Sequence, residues 1–433
     1  MEQKAKTDQA LGYETQHSQA DQRGIVLMRG LRSFAYGLLA VLLPIALARS
    51  GETPAAIGVL ITVSLLGDFV GTYVISVIAD PFGRRRTLVL LALLMAATGI
   101  IFGLVHVYAV LLVAAFFGTL GTSASETAPF LPIEQAMLSQ ICEARRRTAL
   151  FARYNLVATF AGALGALTAG LPDLLTRIGM PFPLGIGLLF GVYTAVAFMV
   201  IGRTLRLSPA VEAPIRPSKP KGGTFQQLVP PLGNARGMVL RLTALFSVDA
   251  LAGGLVVQSL LSLFFHLRFG VSLSQLAVLF FGANLFSALS FLAAVPLARR
   301  IGLLNTMVFT HLPSNVLLVL VAFMPTFPLA AVFLLLRQML SQMDVPTRQA
   351  YTMALVQPTQ RTATASVTSL ARSAGSAISP ALSGLFLQGP GLVLGLPLIM
   401  AGTLKSAYDL TLWTIFRRVR QPDTEEKERI QAT

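Results

Sequence analysis

Apolar runs alternate with short polar turns along nearly the whole chain. Twelve such runs cover residues 27–48, 55–79, 87–105, 108–132, 150–171, 183–202, 239–265, 273–297, 303–323, 327–347, 364–387 and 391–415. Each is close to the roughly 20 residues that a helix needs to cross a bilayer. Proline and glycine recur inside the runs, which membrane helices tolerate when neighbouring helices re-satisfy the backbone. Three stretches break the alternation. Residues 1–24 are polar and Gln-rich, and read as a disordered cytoplasmic tail without a cleavable signal. Residues 204–236 hold Pro209, Pro214, Pro217, Pro220, Pro230 and Pro231 with Arg206, Arg216, Lys219 and Lys221, and read as a cytoplasmic linker. Residues 417–433 are charged and are expected in the cytoplasm. The division is therefore six runs in 25–203 and six in 237–416.

Composition agrees with membrane residence. Hydrophobic residues make up 54% of the chain and charged residues 12%, with mean hydropathy +0.69; ordinary soluble domains carry about 25% charged residues. The net charge of +15 would suggest nucleic acid in a soluble protein. Here the basic residues sit in short loops, where they set topology and face anionic lipid, so a nucleic-acid partner is not expected. With both termini inside, the outer loops hold only Arg49, Arg177 and Arg268. The inner side collects Arg145 to Arg147, Arg299, Arg300, Arg417 and Arg418. That asymmetry predicts a multi-pass protein of the inner (plasma) membrane, expected to be a monomer. A single cysteine, Cys142, excludes an internal disulfide and a thiolate metal cluster.

The two halves repeat one another. Pro132-Ile133-Glu134-Gln135-Ala136 aligns with Pro346-Thr347-Arg348-Gln349-Ala350, and Arg147-Thr148-Ala149 then falls on Arg361-Thr362-Ala363. Further along, Leu156, Ala163, Gly170 and Leu171 fall on Leu370, Ala377, Gly384 and Leu385. Matches that include Pro, Gln and Arg in loops point to duplication rather than to chance similarity of apolar helices.

Between the second and third runs lies Ala79-Asp80-Pro81-Phe82-Gly83-Arg84-Arg85-Arg86. It resembles the loop signature of the major facilitator superfamily, G-x-x-x-D-(R/K)-x-G-(R/K)-(R/K). Asp80, Gly83, Arg84 and Arg85 match, whereas Ser76 and Pro81 replace the usual glycine and basic residue. A degraded copy runs from Ala298 to Gly302. The resemblance implies an all-α polytopic membrane protein of 12 transmembrane helices in two pseudo-symmetric six-helix bundles, working by alternating access. It also implies that Asp80, Gly83, Arg84 and Arg85 form a conformational-switch loop that latches the cytoplasmic side.

Ionisable groups inside apolar runs are costly, so each is a candidate for function. Asp68 lies midway along the second run. Glu126 lies in the fourth, in Ser123-Ala124-Ser125-Glu126-Thr127-Ala128-Pro129, where proline is expected to kink the helix. Protonation of either is expected to shift the balance between conformers. In the second half Asp249, Arg337 and Asp344 complete the candidates for substrate and proton binding. An arginine in mid-membrane keeps its charge and needs a carboxylate or an anionic substrate. Asp249, Asp344 and Glu126 are its expected partners. Glu134 and its repeat counterpart Arg348 are expected to act as a gate between the halves. Lys405 and Asp409, four apart, are expected to form a structural pair on one helix face. The four histidines read as one in the tail (His17) and three near outer loops or span edges (His106, His266, His311).

No catalytic constellation, metal-ligand spacing or phosphate-cradling loop is visible, so neither an enzyme nor a cofactor is expected. The resulting expectation is a secondary transporter, driven by a gradient, that exports a small organic molecule in exchange for protons. Uptake by symport, or uniport, of a small organic anion or metabolite is the alternative. A membrane enzyme or a non-transporting receptor is the remote one.

Overall fold

The computed structural model describes residues 2–121, 129–143, 146–213, 236–356 and 360–418, with side chains from Ser18 onward except at 148 and 361–363. Glu126, most of the linker and most of the C-terminal tail lie outside the described residues. Among the described residues regular structure is helical throughout. The first helix, α1, runs Glu2–Arg49. It begins where an irregular tail was expected, because the stretch before Gly24 lacks proline and is rich in Ala, Gln, Glu and Lys, all good helix formers.

The remaining helices of the first half are α2 (Pro54–Phe82), α3 (Arg84–Leu104), α4 (Tyr108–Phe117), α5 (Phe130–Ile141), α6 (Arg147–Thr168), α7 (Leu171–Arg177) and α8 (Phe182–Leu205). The second half contains α9 (Arg236–Gly254), α10 (Gln258–Phe269), α11 (Leu273–Ile301), α12 (Leu303–Phe323), α13 (Phe327–Ser341), α14 (Asp344–Ala354), α15 (Arg361–Phe386) and α16 (Leu396–Phe416). Among the described residues, eight segments are long and apolar enough to cross a membrane. The fourth and tenth expected spans are each divided, into α4 with α5 and α13 with α14. The eleventh and twelfth are continuous, but they carry Arg372, and Lys405 with Asp409, which lower their apolarity.

The chain forms two compact units. One contains Met1–Ala46, Leu66–Arg216 and Ser272–Phe281, and the other contains Leu47–Leu65, Pro217–Val271 and Gly282–Thr433. In the first unit α1 and α6 meet through small residues: a Cβ on Gly37 would strike the Gly162 backbone, and one on Gly165 the Phe34 carbonyl. In the second unit α9 and α15 approach in the same way, at Gly254 and Ser376. Small residues at crossings let membrane helices pack backbone to backbone, where no hydrophobic force drives them together.

The duplication read from the sequence reappears in the helix starts. Helices begin at Phe130, Arg147 and Phe182 in the first half and at Asp344, Arg361 and Leu396 in the second, 214 residues apart in each case. Gly83 and Gly302, which end the signature and its degraded copy, have φ of +103° and +86°. Both turn the chain sharply in a conformation that a side chain disfavours.

Candidate functional site

Each unit buries a charge network at equivalent helices. In the first, Arg32 of α1 donates to both oxygens of Glu134 of α5, Nη1 to Oε1 at 2.5 Å and Nη2 to Oε2 at 2.8 Å. The Tyr154 hydroxyl of α6 donates to Oε2 at 2.6 Å. The Phe130 ring lies 4.2 Å from the guanidinium carbon. Arg32 and Glu134 are both fully buried. A bidentate pair with added donors is the arrangement that offsets the cost of desolvating two charges.

In the second unit the bridge recurs with its signs exchanged. Arg348 of α14, the repeat counterpart of Glu134, donates from Nη1 to Asp249 Oδ2 of α9 at 2.9 Å. Arg372 of α15 reaches the same oxygen at 2.9 Å, and Lys405 Nζ of α16 reaches Oδ1 at 2.5 Å. Arg348 also donates to Asp344 Oδ2 at 2.9 Å. Three cations thus surround two carboxylates, leaving one positive charge in excess.

Arg337 of α13 adds a further charge. It is 9% exposed; its Nη1 donates to Gln338 Oε1 at 3.0 Å, and its Nε has no partner among the described residues. No described carboxylate lies within ion-pair distance of it. Asp249 and Asp344, the partners expected for it, are taken by Arg348.

In the first unit the unsatisfied group is an acid. Asp68 of α2 is 8% exposed, and its Oδ1 has no hydrogen-bond partner among the described residues. Tyr36 and Tyr193 lie within its electrostatic range. The Tyr193 hydroxyl donates to the Thr119 carbonyl at 2.6 Å, and the hydroxyls of Tyr36 and Thr119 are buried nearby.

One expected pairing is not formed. Lys405 and Asp409 do not bond to each other: Lys405 turns to Asp249, and Asp409 accepts from His311 and Asn315. Within their own units Glu134 is bonded to Arg32, and Arg348 to Asp249 and Asp344. His311 departs from its expected place at a span edge; it is buried within α12 at 3% exposure.

Side chains of the Asp80–Arg86 loop are held by hydrogen bonds, with one carboxylate contribution from outside the loop. Arg84 Nε donates to Asp80 Oδ1 at 2.8 Å, and its Nη1 donates to Gln140 Oε1 at 2.8 Å. Arg85 Nη2 donates to the Leu205 carbonyl at 2.9 Å. The contribution is from Glu212, at the start of the linker. Its carboxylate accepts the backbone N–H groups of Arg84 at 2.7 Å and Arg85 at 3.2 Å, capping the positive end of α3. No local spacing signals this role, since the partners are over a hundred residues apart. Arg32 and Arg372 are different: they lie inside the apolar runs 27–48 and 364–387, so the reasoning that singles out Asp68 covers them too.

Residues 25–380 match the sequence model of the Major Facilitator Superfamily, and the chain belongs to that family. It is a multi-pass membrane protein of a transporter family. It is 27% identical over 412 residues to the uncharacterized membrane protein YJR124C of Saccharomyces cerevisiae, spanning 89% of this chain and 92% of that protein. Similar solved structures include the nucleoside transporter NupG, at TM-score 0.67 and 13% identity over 92% of this chain and 99% of that one. The D-xylose-proton symporter is similar at TM-score 0.72 and 12% identity, over 91% and 97%. A bacterial homologue of the human lysosomal transporter Spinster is similar at TM-score 0.68 and 16% identity, over 94% and 99%. At these identities the likeness establishes the fold.

Proposed function

We propose that this chain is a secondary active transporter of a small organic anion, working by alternating access and coupled to protons through Asp68. The observation that carries the reading is Arg337, a buried arginine with no carboxylate within ion-pair distance among the described residues, in a unit where Asp249 and Asp344 are already shared by three other cations. A guanidinium does not escape its cost by losing its proton, so an anionic ligand is the natural complement. The charge of Arg337 itself disfavours a cationic substrate beside it.

The sign of the charges bears on the coupling. Exchange for protons, the first expectation from sequence, requires proton and substrate to oppose one another. For an anionic substrate we favour movement of proton and anion in the same direction, because together they cross the low-dielectric interior without net charge. The reading includes a plasma (inner) membrane, a monomer and cytoplasmic termini, and the arginine distribution supports that orientation.

The test uses proteoliposomes containing a lumenal pH dye, presented with a panel of carboxylates, phosphate esters and sulfonates. Cotransport acidifies the lumen when the right anion is added outside, whereas exchange makes it more alkaline. Arg337→Lys, which keeps the charge and loses the fork, is expected to slow anion entry about 10-fold or more, on the scale of one charge-assisted hydrogen bond. Asp68→Asn is expected to abolish the pH signal while anion counterflow persists. Wild-type anion rates in Arg337→Lys would sink the anion reading, and an intact pH signal in Asp68→Asn would remove Asp68 from the coupling.

A further inference from the structure

The second unit buries another pair of ionisable groups, which neither the Asp249 cluster nor Arg337 uses. His311 of α12 is 3% exposed and Asp409 of α16 is 1% exposed. His311 Nδ1 lies 3.0 Å from each carboxylate oxygen of Asp409. Asn315, one turn further along α12, donates from Nδ2 to Asp409 Oδ2 at 2.8 Å. The Tyr408 ring stands edge-on to the imidazole, centroids 6.4 Å apart.

Two features set this apart from a satisfied core histidine. Asn315 is fully buried, yet its Oδ1 accepts from no described group. Flipping the amide does not help, because it would turn that oxygen onto the Asp409 carboxylate. The pair therefore sits beside a polar atom that still wants a donor. The second feature is the company. Beyond Asp409, the helices packed against α12 contribute Lys405 and Tyr408 from α16, Arg337 from α13, and Asp344, Arg348 and Tyr351 from α14. Asp249 of α9 lies behind Lys405 and within electrostatic range of His311. The pair thus lies near the cation cluster, since Asp409 and Lys405 stand one turn apart on α16.

We infer that His311 and Asp409 form a second proton-binding site of the transporter. In the deprotonated pair a neutral imidazole faces the Asp409 carboxylate, holding its hydrogen on Nδ1 and donating it to Asp409. Uptake of one proton from hydronium at Nε2 converts it to an imidazolium–carboxylate pair and returns a water molecule. The unit gains one positive charge. Histidine is the side chain whose ordinary range spans physiological pH, and buried histidine–carboxylate pairs serve as proton carriers on that account. The consequence for coupling rests on the anion reading: the added charge strengthens the hold on an anion at Arg337, and its departure loosens it. The proton site itself does not depend on that reading.

The test needs no substrate. The full chain, labelled with 15N-histidine and held in lipid nanodiscs, is followed by NMR from pH 8 to pH 5 without organic anions. Four imidazoles are expected. His311→Gln identifies the buried one by loss of its signals; should that variant fail to fold, His17→Gln, His106→Gln and His266→Gln assign it by elimination. At pH 8 the His311 signals are expected to show a protonated Nδ1 and a bare Nε2. By pH 5 both nitrogens are expected to be protonated. Asp409→Asn is expected to release the Nδ1 tautomer, giving a mixture. His311 signals unchanged from pH 8 to pH 5 would overturn the inference. So would a tautomer indifferent to Asp409→Asn. Because no anion is present, neither result depends on whether Arg337 binds one.

Discussion

Glu134 accepts three hydrogen bonds in a fully buried site, two from Arg32 and one from Tyr154. Its replacement by Gln removes the charge and leaves Arg32 buried against a neutral amide. Breaking a buried pair in this way costs about 3–5 kcal/mol. Glu134→Gln is therefore expected to lower the thermal midpoint of the detergent-solubilised protein markedly; a midpoint within a degree of wild type would mean that Tyr154 and backbone groups suffice for Arg32. At this scale the sequence was legible in part. That Asp68, Asp249, Arg337 and Asp344 matter follows from the expense of charge in an apolar run. Which of them would be paired does not follow, because partners such as Arg348 and Asp249 are about a hundred positions apart and meet only through helix packing. Lys405 and Asp409 show the same limit from the other side: a spacing of four permits a bond, and tertiary partners took both ends.

Helix positions were read more securely than helix continuity. The apolar runs mark where the chain crosses, since length and hydropathy are local properties. The fourth run became α4 and α5, with Pro129 immediately before the second piece. Divided helices free backbone groups that must be satisfied inside the protein. The crossing of α1 and α6 depends on glycines that no periodicity singles out. A Cβ at Gly165 would overlap the Phe34 carbonyl, so Gly165→Val must push the two helices apart. About 1–3 kcal/mol of destabilisation is expected from such overpacking, read as a lowered thermal midpoint. The milder Gly165→Ala should sit between Val and wild type. Equal midpoints for all three would show that the crossing relaxes freely.

Across the whole molecule, duplication explains more than any single motif. Helix starts recur at a constant interval, and the buried bridge recurs with its acid and base exchanged. The two networks share no partner: Arg32, Glu134 and Tyr154 belong to one unit, and Asp249, Arg348, Arg372 and Lys405 to the other. Energies of independent sites add within about 0.5 kcal/mol. The double variant Glu134→Gln/Asp249→Asn is thus expected to lose the sum of the single losses. A clear departure from that sum, in denaturation of the detergent-solubilised protein, would show the networks to be coupled. The family was readable from Asp80, Gly83, Arg84 and Arg85, whereas Glu212, which caps the helix they begin, was not.

The Asp249 cluster also has a history during synthesis. Helix α9 is made first and carries a lone carboxylate; α14, α15 and α16 follow with Arg348, Arg372 and Lys405. A charge at the centre of a nascent helix costs about 2.5–3.5 kcal/mol at the insertion machinery, and α15 and α16 do not qualify as spans on apolarity alone. Their entry into the bilayer therefore leans on a counter-charge laid down over a hundred residues earlier. Asp249 serves the growing chain as a docking point before it serves the finished one, and without it the last two helices would be the ones left waiting in water.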